Sequence, residues 1–186
     1  MAALASIDHG AVYLANAPTI GITEIQDRFI EVLSGSEFGT DLDNIATKYG
    51  FEHQELDQMH EEDEDIFRYE TIGGDGAKFP FACVVWRGDE VITWARADNA
   101  TERATMDLIF GIKQDHANFN LLIRKVNAYI DAAKRTFTRA VRNQTFTDCR
   151  YKSSSPGQTF SDDSALIQFV TVTFEVDYWT STETTA

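Results

Sequence analysis

The feature that most constrains the fold lies near the C-terminal end, in the run Ala-Leu-Ile-Gln-Phe-Val-Thr-Val-Thr-Phe-Glu-Val-Asp-Tyr-Trp at 165–179. From Leu166 every second residue is Leu166, Gln168, Val170, Val172, Phe174, Val176 and Tyr178, and the residues between include Phe169, Thr171, Thr173, Glu175 and Asp177. Successive side chains of a strand point to opposite faces, so a period of two with β-branched and aromatic residues on one side predicts a long strand. One of its faces is apolar and the other polar, which places it in an antiparallel or mixed sheet covered on one side.

The covering element is legible as well. Phe119, Leu122, Ile123, Val126, Tyr129, Ile130, Ala133, Phe137 and Ala140 recur at spacings of three and four, which predicts one long helix from Phe119 to Arg142 with Asn118 as N-cap. Its opposite side carries Arg124, Lys125, Lys134, Arg135, Arg139 and Arg142 against the single acid Asp131. Cations toward a helix C-terminus suit the helix dipole. Such a face is either a nucleic-acid face or a surface that pairs with neighbouring acids.

Elsewhere the elements are shorter. Thr23-Glu24-Ile25-Gln26 has the spacing of a capping box, and Ile25, Phe29, Ile30 and Leu33 follow at helical spacing until Ser34-Gly35-Ser36. Leu42, Ile45, Ala46 and Tyr49 can line a second short helix stopped by Gly50. From Glu52 to Asp65 come eight acids and no Lys or Arg. Self-repulsion favours a solvated segment there, so residues 36–72 are expected to decorate the rim as an acidic insertion. Residues 79–86 read as a strand, Arg87-Gly88-Asp89-Glu90 as a turn, Val91-Ile92-Thr93-Trp94 as the return, and 105–112 as a central strand apolar on both sides. Residues 146–152 resume strand character, and 153–158 (Ser-Ser-Ser-Pro-Gly-Gln) read as a loop leading to the final strand.

The expected fold class is therefore α+β: an antiparallel or mixed sheet of about four to five strands, with one long helix and one or more short helices packed on it. Residues 1–21, small and mildly apolar with Pro18 and Gly21 as breakers, read as an N-terminal arm, and 22–186 as a single domain.

Little in the chain points to chemistry. His53 and His60 are seven residues apart among acids, whereas helical metal motifs want spacings of three or four, so a solvated acidic face is the simpler reading and no metal site is assigned. Asp107 and Asp115 could pair as carboxylates only if geometry brought them together. No G-x-S-x-G, P-loop or G-x-G-x-x-G occurs, and Gly73-Gly74-Asp75-Gly76 precedes a strand instead of opening a helix. Cys83 and Cys149 sit in strand-like runs and read as small apolar residues in a reducing compartment. No enzyme activity and no cofactor are expected. A formal net charge of −14 disfavours a protein that grips nucleic acid. Residues 1–20 hold no Lys or Arg and no sustained apolar core, and no run reaches the length of a membrane span, so no membrane partner is expected.

The order of elements is a short helix, a strand pair, a strand through Met-Asp-Leu-Ile-Phe-Gly-Ile at 106–112, one long helix and a hairpin closing in 169–179. It resembles the tail terminator (tail completion) proteins of long-tailed bacteriophages. The likeness is carried by 105–112, by 119–140 and by 165–179; it spans about Pro80 onward plus the helix at Thr23, and rests on element order without an invariant catalytic triplet. It implies a structural virion protein that forms a homo-oligomeric, hexameric ring at the head-proximal end of the tail tube. Such a ring stops tube polymerisation and joins the tail to the head connector or stopper protein, with the tail sheath as a further neighbour. DNA passes through it without specific binding, and the subunits are made in the host cytoplasm and end in the virion neck. Arg124, Lys134, Arg135, Arg139 and Arg142 are then the subunit-interface candidates. Two alternatives remain: a head–tail adaptor or stopper of the same neck, and an acidic module that binds a basic partner through residues 52–65.

Overall fold

The alternating run at 165–179 becomes the spine of the sheet in a computed structural model that describes residues 21–52, 58–60, 79–96, 99–142, 148–162 and 165–181. For 58–60, 94–96, 99, 141–142, 162 and 179–181 the description covers the backbone alone. In chain order the elements are α1 (Ile22–Ser34), α2 (Ser36–Tyr49), β1 (Gln58–His60), β2 (Phe81–Arg96), β3 (Asn99–Asp115), a 3-10 turn (His116–Asn118), α3 (Phe119–Arg142), β4 (Asp148–Asp162) and β5 (Ala165–Ser181). The sheet runs β1-β2-β3-β5-β4, with β1 parallel to β2 and every other pair antiparallel. This is the α+β arrangement the periodicities call for, with one long helix and two short ones on the sheet.

β5 lies between β3 and β4 and pairs with β3 along its whole length, from Ala165 opposite Asp115 to Ser181 opposite Asn99. Its even-numbered residues Val170, Val172, Phe174 and Val176 face the helices and are at most 3 % exposed. Ala82, Val84, Met106, Leu108 and Phe110 extend the same surface across β2 and β3. α3 lays Leu122, Val126, Tyr129, Ala133, Phe137 and Ala140 onto it, and α1 adds Ile25, Phe29 and Leu33. Three rings lock this junction: Phe137 lies 4.6 Å from Phe29 and 4.7 Å from Phe174, centroid to centroid. Such ring pairs add about 0.5–1.5 kcal/mol each beyond the area they bury.

The face of the sheet away from the helices is not uniformly polar. At one end Phe79, Phe81, Phe169 and Phe160 form a row across β2, β5 and β4, with centroid separations of 5.5, 6.0 and 5.8 Å. Gly111 of β3 lies under this row, because a Cβ there would fall 2.3 Å from the Phe81 ring. Ile109, on the same face, is 9 % exposed and its neighbours Leu108 and Phe110 are fully buried, so β3 is covered on both sides as its sequence requires.

Several local expectations are corrected. Residues 87–90 do not turn: β2 continues to Arg96, and the polar run is a β-bulge between Trp86 and Gly88, where Gly88 takes φ 134°. The pairing of β2 with β3 runs on until Arg96 stands opposite Asn99. Residues 153–158 likewise belong to β4 and are not a loop. β4 is an edge strand, where Pro156 loses no necessary hydrogen bond and a second irregularity between Pro156 and Thr159 absorbs the Gly-Gln step. α1 starts one residue ahead of Thr23, with Gly21 at the N-cap and no side-chain cap bond, so the capping box does not form.

α2 is part of the core and not a rim decoration. Phe38, Leu42, Ile45 and Ala46 are buried, and Phe38 stacks on Phe110 at 5.9 Å, whereas Tyr49 is 39 % exposed. Gly50 ends this helix at φ 75° as expected, and Phe51 N–H bonds the Ala46 carbonyl. The arm at 1–20, most of the acidic run, the His53 and His60 side chains and the glycine turn at 73–76 lie outside the described residues.

Candidate functional site

α3 is where the sequence places a contact surface, and its cations divide into three groups. Arg124 and Arg135 are exposed, and among the described residues neither has an ion pair. Lys134 reaches down to β4, where its ammonium sits 4.3 Å from the centre of the Tyr151 ring. Arg139 turns inward: its guanidinium donates to Asp41 Oδ1 at 2.8 Å and approaches Glu37 Oε2 at 3.5 Å. Thr136 donates to the other oxygen of Asp41 at 2.9 Å. The Asp41 side chain is only 8 % exposed, so its carboxylate is held by two donors from α3.

Arg139, one of the expected interface cations, thus clamps α2 to α3 within the chain. The clamp's acids, Glu37 and Asp41, lie on α2, inside the stretch 36–72 expected to decorate the rim. Arg142 closes the helix, and its side chain is outside the described residues. Phe119 and Ile123, which the spacing assigns to the buried stripe, are 48 % and 39 % exposed. They occupy the first turns of α3, and the packed stripe begins with Leu122 and Val126.

A second charged surface, which periodicity alone does not reveal, lies on the outer face of the sheet. The odd-numbered residues of β5 carry it. Asp177 receives Arg103 of β3 through two bonds, at 2.7 and 3.1 Å, and Arg150 of β4 at 2.8 Å. Glu175 takes Lys152 at 2.8 Å, and Arg150 also lies 3.3 Å from Asp148. Further along, Asp107 of β3 accepts from Arg87 of β2 at 2.8 Å and from Thr173 of β5 at 2.7 Å. Cross-strand neighbours are close enough for such pairs, so opposite charges on four adjacent strands knit the face into a ladder. The hydrogen bond from Lys152 holds the Glu175 carboxyl below its usual range, and the one to Asp177 raises Arg103 further above its own. Asp107 and Asp115, the acids considered as a catalytic pair, stand apart: Asp107 is bound into this ladder and Asp115 ends β3.

On the helix side of the same sheet, Tyr178 donates to Glu102 at 2.7 Å and lies 3.3 Å from Asp89. Burial first, and then the two carboxylates, push its phenol well above the ordinary tyrosine range. Cys83 and Cys149 are buried and form no disulfide, and burial raises the Cys149 thiol far above a reactive value. Among the described residues no three His, Cys, Asp or Glu side chains converge as metal ligands. No helix of the described residues is long and apolar enough to cross a membrane.

The arrangement offers paired charges and contact surfaces: titratable groups neutralise one another within the chain, and apolar side chains stand exposed at a strand edge and at a helix start. The chain matches no protein-family model and no curated protein.

Proposed function

We propose that this chain is a structural ring subunit of a long-tailed bacteriophage neck, in the tail-terminator role. One observation carries the reading: two helices, a hairpin, a single long helix and a second hairpin whose last strand fills the centre of an antiparallel sheet. The resemblance to terminator proteins rests on a short helix, a strand pair, a further strand, one long helix and a closing hairpin. The long helix followed by a hairpin is the part the structure shares, whereas α2 is additional and β2–β3 is one hairpin in place of a strand pair and a further strand. In this role the subunit recognises the last ring of the tail tube, blocks further addition and presents its opposite face to the head connector. The physical demands are shape and charge. A head-to-tail contact closes into a ring when its rotation permits. A net charge of −14 per subunit repels the phosphate backbone and lets DNA slide through the opening.

The test is imaging. Purified protein, examined by native mass spectrometry and negative stain alone and with tail tubes, is expected to form rings that sit at one tube end. A monomer at every concentration, or decoration along the tube wall, refutes the reading.

A further inference from the structure

Among the described residues the sheet has two open edges. Among the described residues β1 accompanies β2 only opposite Phe81, Ala82 and Cys83, so 84–96 have no strand on that side. β4 likewise has β5 on one side and no described strand on the other. A row of unpaired backbone N–H and C=O groups is a template for a further strand. β2, β3, β5 and β4 alternate in direction, so the two edges of this four-strand block run opposite ways. Copies related by rotation about an axis along the strands therefore set β2 of one against β4 of the next as an antiparallel pair, the geometry already used inside the sheet.

The edges also differ in the charges they expose, although most of these already have a partner within the chain: Arg150 and Lys152 hold Asp177 and Glu175, Arg87 holds Asp107, and Glu90 lies 3.9 Å from Arg103. α1 packs against β2 and carries Glu24, Asp27 and Glu31, and β2 itself adds Asp89 and Glu90, the latter with its side chain 71 % exposed. α3 packs against β4, and that edge carries Arg150, Lys152 and Lys134. Apolar exposure is shared between the edges as well: Trp86, Val91 and Ile92 on β2, and Tyr151 on β4, are 36–46 % exposed.

Register follows from three constraints. Residues placed opposite one another must lie on the same face of the sheet, which allows Glu90 to face Asp148, Arg150 or Lys152. Asp148 would set like charges together. Lys152 falls at a bulge, which would sit inside the paired stretch. Arg150 brings opposite charges together and overlaps the regular stretches 88–91 of β2, which has an irregularity on either side, and 148–151 of β4, which is followed by one, over the three pairs 89–91 and 149–151. It also sets Tyr151 opposite Asp89, with Val91 on the diagonal, so two exposed apolar side chains cover each other.

We propose that residues 89–91 of β2 in one copy pair antiparallel with 149–151 of β4 in the next, Glu90 facing Arg150, and so link copies head to tail into a closed ring. This rests on the ring reading above and specifies the surfaces that make it.

The experiment is a disulfide between copies. In a protein carrying Glu90→Cys and Arg150→Cys, oxidation is expected to give a non-reducing ladder rising from dimer to a top band equal to the native ring mass. Either single variant should give no ladder, the native thiols Cys83 and Cys149 being buried. A ring by native mass without a ladder overturns the pairing and leaves the ring reading standing. Dimers from Arg150→Cys alone overturn it in favour of a two-fold β4–β4 contact, and monomers at every concentration overturn both. Arg150 also bonds Asp177, so a second variant leaves that contact intact. Glu90→Arg gives up an exposed 3.9 Å approach to Arg103, so the urea midpoint should move by less than about 0.5 M while assembly weakens at least tenfold, and assembly at the wild-type concentration overturns the proposal.

Discussion

Replacing Arg139 by methionine separates a clamp within the subunit from a contact between subunits. Methionine keeps most of the apolar stem, so the change reports on the guanidinium. The Asp41 carboxylate, 8 % exposed, loses its 2.8 Å charge-assisted partner and keeps only Thr136. A hydrogen bond to a charged group contributes roughly 1.5–3 kcal/mol. The Arg139 side chain is itself 40 % exposed, so water can reach the vacated position and solvent already screens the pair. The expected loss is therefore at the lower end, about 1–2 kcal/mol. A chain of this size has a urea slope of about 2 kcal/mol/M, so the midpoint should fall by about 0.5–1 M. Arg135→Met, which breaks no ion pair among the described residues, should leave the midpoint within about 0.2 M of wild type. Equal midpoints for wild type and Arg139→Met, measured under conditions where the protein is monomeric, would refute the clamp. A loss of assembly without loss of stability would return Arg139 to the interface.

Three further outcomes are expected. Gly111→Ala should cost about 1–3 kcal/mol, because the Phe81 ring must retreat and its neighbours Phe79 and Phe169 hold it; Phe81→Leu in the same chain should recover part of that loss, and a strictly additive double mutant would contradict the contact. Phe137→Ala should lose about 3–5 kcal/mol in chemical denaturation, whereas Phe119→Ala, at a 48 % exposed site, should change stability by less than about 0.5 kcal/mol. Tyr178 holds its proton more tightly folded than unfolded, so its contribution is complete below the ordinary tyrosine value of 10.0 and is lost as pH rises above it; Tyr178→Phe should flatten the alkaline limb of a stability-versus-pH curve, and an unchanged limb would count against the buried phenol.

Much of this architecture is legible in the sequence because burial imposes a period. The two in β5 and the three-to-four in α3 follow directly from which face each element hides, and both elements appear where the spacing puts them. What misleads is punctuation. Arg-Gly-Asp-Glu at 87–90 and Ser-Pro-Gly at 155–157 carry turn chemistry, yet both lie in strands whose outer side has no described neighbour, and there a bulge accommodates the same residues. The α2–α3 clamp was not readable for another reason. Asp41 and Arg139 stand 98 residues apart, and no local pattern announces a pair that only folding brings to 2.8 Å. The charge ladder has a usable signal in the acids at alternate positions of β5, but their partners come from two other strands, β3 and β4.

The place of β5 in the sheet has a consequence for synthesis. A nascent chain that has emerged as far as Asp162 holds β3 and β4 but not the strand that lies between them, and α3 then has only part of the surface it needs to cover. Burial of the aromatic trio Phe29, Phe137 and Phe174 waits for the same segment. Such dependence on distant pairing slows folding and delays cooperative closure until β5 has left the ribosome. Chains truncated before Ala165 should therefore be cleared as misfolded products.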